Sequence, residues 1–306
     1  MRYREGGRLD TSGVSDRRGR GGMGGGRGVA VGGGGLGLVG LIIVVVLQLA
    51  GGNGGGDVGA ALGGLSGLGQ DQTTDNTALD QRCRTGEDAN DSVECAVVAD
   101  IESIQDYWGQ VLGGRYTPTD TVFFNGNVQT SCGAASSGSG PFYCPSDQLV
   151  YIDLTFFDQL KQQFGAQGGL FVDAYVLAHE YGHHVQNLLG TNGQVTPGET
   201  GPTSGTVRLE LQADCYAGTW ANHAETVPDE SGAPLIEEIN SDDITRALDA
   251  ASRIGDDFIQ QNLGSGRVDQ DAFTHGSSEQ RQKWFTTGYE TGDPNQCDTF
   301  STDDLG

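Results

Sequence analysis

Two of the five histidines, His179 and His183, flank Glu180 in the stretch His179-Glu180-Tyr181-Gly182-His183. On a helix, residues i and i+4 share one face about a turn apart. Two imidazoles so spaced can each aim a ring nitrogen at one tetrahedral ion about 2.0–2.1 Å away, which is the chemistry of a zinc site. Glu180 falls on the adjoining face, where its carboxylate can reach a metal-bound water without ligating. A catalytic zinc takes three protein ligands and keeps one position open. The expected third ligand is Glu210, in Glu210-Leu211-Gln212-Ala213-Asp214. Asp214, again four residues on, can accept the spare N–H of a liganding histidine and fix its tautomer. Plain structural readings exist for both pairs: histidines bonded within a core, or solvated acids in a chain with 41 of them. Both are weakened by apolar neighbours, because an unpaired polar group among them costs about 1–3 kcal/mol.

The remaining candidates are less patterned. His275 stands in a polar stretch just before a helix, where it could donate to a developing oxyanion as a catalytic group; a His-Gly-Ser-Ser segment could equally cap that helix. His184 lies about 100° around the helix from His183 and reads as structural. His223, at a helix end, reads as solvated. Tyr181, Tyr216 and Tyr289 are lesser oxyanion candidates, and Arg281 and Trp284 read as packing residues.

The elements that must carry these side chains can be read from periodicity. Apolar residues at helical spacing predict helices over Glu94–Leu112, from Gly169 to a stop at Gly190, over Val207–His223, over Asp242–Leu263 and over Ser277–Tyr289. Val122–Phe124 and Gln148–Leu154 read as strands, and Ser131–Gly140 as a Ser/Gly loop. The expected fold class is α+β: a small sheet with a mostly helical, zincin-like body, preceded by a single transmembrane helix. The Gln148–Leu154 strand is a candidate edge for binding extended peptide.

Charge divides the chain. The net charge is −24, which excludes a nucleic-acid binder. Yet residues 1–28 hold seven of the 17 basic residues and only three of the 41 acidic ones. With their glycines, they read as a disordered basic cytoplasmic tail. Residues 29–50, VAVGGGGLGLVGLIIVVVLQLA, carry no charge. As a helix they would rise about 33 Å, enough for a hydrocarbon core of about 30 Å. They are therefore read as an uncleaved membrane anchor, against the rival of a signal peptide cleaved near Ala50. Arginine before the span and acid after it predict a single-pass protein of the cell membrane, N-terminus cytoplasmic and catalytic domain outside. Residues 51–80 read as a Gly-rich linker and 81–306 as the folded domain. Six cysteines suit an exported domain stapled by disulfides. Nearness in sequence predicts Cys83–Cys95 and Cys132–Cys144, and exclusion leaves Cys215–Cys297.

The stretches HEYGHHVQ and ELQADCYAG together resemble the bacterial neutral zinc metallopeptidase family. Further segments are similar to the family's: Ser131-Cys132-Gly133, Gly140 to Pro145, Tyr151 to Leu154 and Thr274 to Arg281. The Glu-x-x-Ala-Asp arrangement also resembles that of gluzincin membrane proteases, in which the glutamate is the third ligand. The resemblance implies Zn2+ as cofactor and a peptide or protein as substrate. The expected mechanism uses a zinc-activated water, with Glu180 as general base. Two other readings stay open: a non-peptidase zinc hydrolase of amides or esters, and a membrane-tethered binding module built on a structural zinc.

Overall fold

The computed structural model describes residues 1–18, 74–196 and 198–306. Strands β1 (Arg2–Tyr3) and β2 (Val14–Asp16) come first, then helices α1 (Thr77–Arg82), α2 (Gly86–Asp91) and α3 (Val93–Leu112). Five short strands follow: β3 (Thr121–Phe123), β4 (Asn127–Thr130), β5 (Gly133–Ser136), β6 (Phe142–Cys144) and β7 (Leu149–Ile152). Helix α4 (Phe156–Gln162) leads into the two long helices α5 (Leu170–Leu189) and α6 (Gly205–His223). Strand β8 (Ile236–Glu238) and helices α7 (Ser241–Arg253), α8 (Asp256–Asn262) and α9 (Ser278–Thr291) follow.

The mixed helix-and-sheet architecture has a four-stranded sheet ordered β2-β3-β7-β6. Strands β2, β3 and β7 run parallel, and β6 returns antiparallel to β7. The Gln148–Leu154 strand therefore lies inside the sheet, and the edge on that side is β6. The expected Ser/Gly loop contains strand β5, which pairs antiparallel with β4 just before it. The single helix expected over Asp242–Leu263 breaks into α7 and α8 at Ile254 and Gly255.

Helices α5 and α6 lie in the centre and are almost wholly buried. Helix α5 stops where predicted, with Gly190 left-handed at its C-terminal cap. Helix α6 starts on Ser204, whose hydroxyl accepts from the Val207 N–H. Small residues set the crossings. A Cβ on Gly182 would lie 3.0 Å from the Ala213 Cα, and one on Gly288 only 1.9 Å from the Cys215 carbonyl oxygen. The first contact draws α6 against the His-Glu-x-x-His turn; the second draws α9 against α6. All three expected disulfides are present: Cys83–Cys95, Cys132–Cys144 and Cys215–Cys297.

The N-terminal expectations require correction. Residues 1–18 belong to the folded body, with Tyr3, Leu9 and Val14 buried in its core. β1 pairs with β8, and β2 extends the main sheet beside β3. The arginines read as a cytoplasmic signal pair with acids of the body instead: Arg2 with Glu237 at 2.8 Å and Arg4 with Asp229 at 2.6 Å. Segments before and after residues 29–50 thus share one body, whereas a single span there would put them on opposite sides of a membrane. Among the described residues no helix is long and apolar enough to cross a membrane; the expected anchor at 29–50 lies outside the described residues. The single-pass topology, the membrane partner and the cell-membrane localisation are accordingly not supported. The linker expected to residue 80 is also shorter at its end, since α1 begins at Thr77.

Candidate metal centre

His179, Glu180 and His183 occupy the middle of α5, and Glu210 and Asp214 the facing turn of α6. One ligand atom each from His179, His183 and Glu210 lie within 4.8 Å of one another. Glu210 spans the pair: its Oε2 is 3.2 Å from the His179 Nε2 and its Oε1 3.6 Å from the His183 Nε2. Both Nε2 atoms therefore face one point, and both Nδ1 atoms face away into hydrogen bonds. Another grouping of possible ligands, Cys83, Glu94 and Cys95, has no thiolate to offer, because its sulfurs are joined.

The Nδ1 partners differ. His179 Nδ1 meets the Asp214 Oδ1 at 2.9 Å. Asp214, fully buried, is gripped by Arg281 through Nε at 2.8 Å and Nη2 at 2.9 Å, and accepts from the Tyr175 hydroxyl at 2.6 Å. Arg281 was expected only to pack; its place on α9 makes it the counter-ion of the site. His183 Nδ1 instead meets the neutral Gln186 Oε1 at 2.8 Å.

Charge state follows from these surroundings. Burial opposes protonation of His179, but the Asp214 charge and the bonds to Asp214 and Glu210 outweigh it and push its pKa up to about 10. Burial dominates at His183 and lowers its pKa. Burial likewise raises Glu180, against the His179 charge and with the Glu210 charge, to about 7. Burial would raise Glu210, yet the neighbouring histidines hold it well below the usual carboxylate range. Asp214 falls to about 2, where Arg281 overcomes burial.

His275 sits at the rim of this group, close enough for its charge and that of Glu210 to stabilise each other. The capping of α9 is done by Ser277, which accepts from the Gln280 N–H while Gln280 bonds back. His275 is left for other work. Its Nδ1 lies 3.2 Å from the Asp256 Oδ1, and its buried Nε2 has no protein partner. Asp256 is itself fixed by the backbone N–H groups of Thr274, His275 and Gly276 at 2.7, 2.6 and 2.9 Å. No spacing links Asp256 to His275; the break between α7 and α8 puts it at the start of a helix beside that loop.

The other candidates resolve as structural. His184 is fully buried; its Nε2–H donates to the Thr117 carbonyl at 2.7 Å and its Nδ1 accepts from the Tyr143 hydroxyl at 3.0 Å. His223 is half-buried, its Nε2 3.0 Å from the Gly292 carbonyl oxygen and its ring stacked on Tyr107. Tyr181 bonds to Thr121 in the sheet at 2.9 Å, Tyr216 packs edge-on to Trp108, and Tyr289 stacks on Phe285. Trp284 packs and donates to the Leu305 carbonyl at 3.1 Å.

Two imidazoles and a carboxylate, converging, and with each imidazole's far nitrogen already bonded, suit zinc. Sequence comparison agrees. The model of the family described as "putative neutral zinc metallopeptidase" matches residues 1–300. The chain belongs to that family. Its relatives include an uncharacterized protein of Mycobacterium tuberculosis (strain H37Rv), 55% identical over 226 residues, which are 74% of this chain and 76% of that one. Escherichia coli K12 has YpfJ, also uncharacterized, 39% identical over 302 residues, or 96% of this chain and 97% of that one. No solved structure matches the chain. The family match over residues 1–300 includes the first eighteen, in keeping with their place in the folded body.

Proposed function

We propose that the protein is a zinc-dependent peptidase in which His179, His183 and Glu210 hold the metal and Glu180 is the general base. The observation that supports this most is the division of labour among four neighbouring groups. Three donor atoms converge, while Glu180, between the two histidines in sequence, stays outside the converging set. Among the described residues no fourth His, Cys, Asp or Glu joins that set, which disfavours a closed structural site.

When bound, zinc supplies a Lewis acid and acidifies a coordinated water toward a pKa of about 7. Glu180 takes the proton from the attacking water and returns it to the leaving amine. A base near neutrality is suited to both transfers. The Tyr143 backbone amide on β6 faces Glu180 and favours its charged form. His275, whose Nδ1–H points to Asp256, donates from Nε2 to the developing oxyanion when the ring carries its second proton. Burial disfavours the charged imidazole, but the Asp256 bond and the Glu210 charge outweigh it and raise its pKa, which favours that donor form. The edge of β6 can pair with an extended peptide and so align a scissile bond beside Glu180.

The test is unbiased peptide cleavage profiling of the purified chain, with and without chelator, beside Glu180→Gln. Chelator-sensitive cleavage that the variant lacks is the expected result. Zinc-dependent hydrolysis of small esters without any peptide cleavage would replace the peptidase with another hydrolase. Cleavage surviving in Glu180→Gln would remove the assigned base.

A further inference from the structure

Beyond the ligands themselves, His183 begins a chain of hydrogen bonds that leaves α5 and ends in the C-terminal segment. His183 Nδ1 bonds to the Gln186 Oε1 at 2.8 Å. The Gln186 Nε2 donates to the Leu209 carbonyl at 2.7 Å and to the Gln212 Oε1 at 3.1 Å. The Gln212 Nε2 in turn donates to the Cys297 carbonyl at 3.0 Å. Gln186 is wholly buried and Gln212 nearly so.

The direction of this chain is fixed at both ends. The Leu209 and Cys297 carbonyls can only accept, so both amide nitrogens must face them. The Gln186 oxygen is thereby turned to His183, which must donate from Nδ1. Nε2 of the neutral ring then carries no proton and presents its lone pair on the Glu210 side. Two backbone carbonyls thus select the histidine tautomer that a metal requires. One belongs to the residue before Glu210. The other belongs to Cys297, which is covalently tied to Cys215, the residue after Asp214.

We propose that Gln186 and Gln212 are positioning residues for the metal site, and that the Cys215–Cys297 disulfide supports zinc affinity by anchoring the far end of their relay. This rests on the reading of His179, His183 and Glu210 as the zinc ligands. The relay acts through His183, and both of its amides are buried.

The experiment measures zinc affinity of the full chain by competition with a chromophoric chelator, with near-ultraviolet circular dichroism to confirm folding. Gln186→Met should weaken zinc binding by about 10–100-fold, the usual range for groups that orient a ligand. Gln186→Glu keeps an acceptor for His183 but loses the amide donor to the Leu209 carbonyl, and should recover only part of the loss seen in Gln186→Met. Gln212→Met should cost about tenfold or less, and should add nothing to Gln186→Met, because both interrupt one chain. Cys215→Ser with Cys297→Ser should resemble Gln212→Met, while Cys83→Ser with Cys95→Ser, remote from the site, should leave affinity unchanged. Wild-type affinity in Gln186→Met, or additive losses in the Gln186/Gln212 double variant, would overturn the relay. Unchanged affinity in folded Cys215/Cys297 and Gln212 variants would overturn the link to the disulfide. Wild-type protein that takes up no zinc would instead remove the metal-site reading beneath it.

Discussion

His179 and His183 stand one turn apart on the same helix, yet opposite chemistries hold them. His179 leans on a buried ionic group, Asp214 clamped by Arg281. His183 leans on two neutral amides that end on backbone carbonyls. The difference has a physical use. A carboxylate makes its imidazole a stronger donor to a metal but also attracts a proton; an amide fixes orientation without that attraction. In the metal-free protein His179 therefore holds a proton at neutral pH, and His183 does not.

That contrast predicts a hierarchy of effects. Arg281→Met leaves the Asp214 carboxylate buried without its cation, and should lower folding stability by about 3–5 kcal/mol. Combining it with Asp214→Asn removes both charges and should recover most of that loss, as denaturant titration can show; equal losses in the single and double variants would mean the pair is not coupled. Gln186→Met strands neutral partners only, and should cost less, about 1–3 kcal/mol. A larger loss there than in Arg281→Met would invert the contrast.

Proton linkage gives a smaller effect. His179, with its pKa near 10, must lose a proton as zinc binds at pH 7 to 9, whereas His183 need not. Titration calorimetry in buffers of different ionisation heat should show at least one proton released per zinc, and apparent affinity rising at least tenfold per pH unit across that range. Release of none would deny the charged state of His179.

The proposed ligands are legible because helical spacing converts sequence distance into direction. The i, i+4 pairs His179/His183 and Glu210/Asp214 needed only two helices that face each other, and Gly182 allows them to do so. Cysteine nearness exposed two disulfides in the same way. What spacing does not encode stayed hidden. Asp256 and His275 meet through a loop, and Gln186 and Gln212 act across the α5–α6 crossing. A glutamine three residues after a ligand, on an otherwise apolar helix, was the available signal for the first of these amides. In residues 1–18 the glycine and arginine content of the wider stretch 1–28 masks a sparse apolar signal. Tyr3, Leu9 and Val14 are few, but each is buried and two lie in strands that find partners far along the chain. Edge and interior strands look alike in a short apolar run, so Gln148–Leu154 reads as a candidate edge although β7 is interior.

The central claim is the assignment of roles within four neighbouring side chains, and elemental analysis of dialysed protein addresses it directly. Wild type and Glu180→Gln should each retain one zinc per chain, because the base is not a ligand. Glu210→Ala, lacking one of three protein ligands, should retain well under one. Loss of zinc from Glu180→Gln with retention in Glu210→Ala would contradict the account.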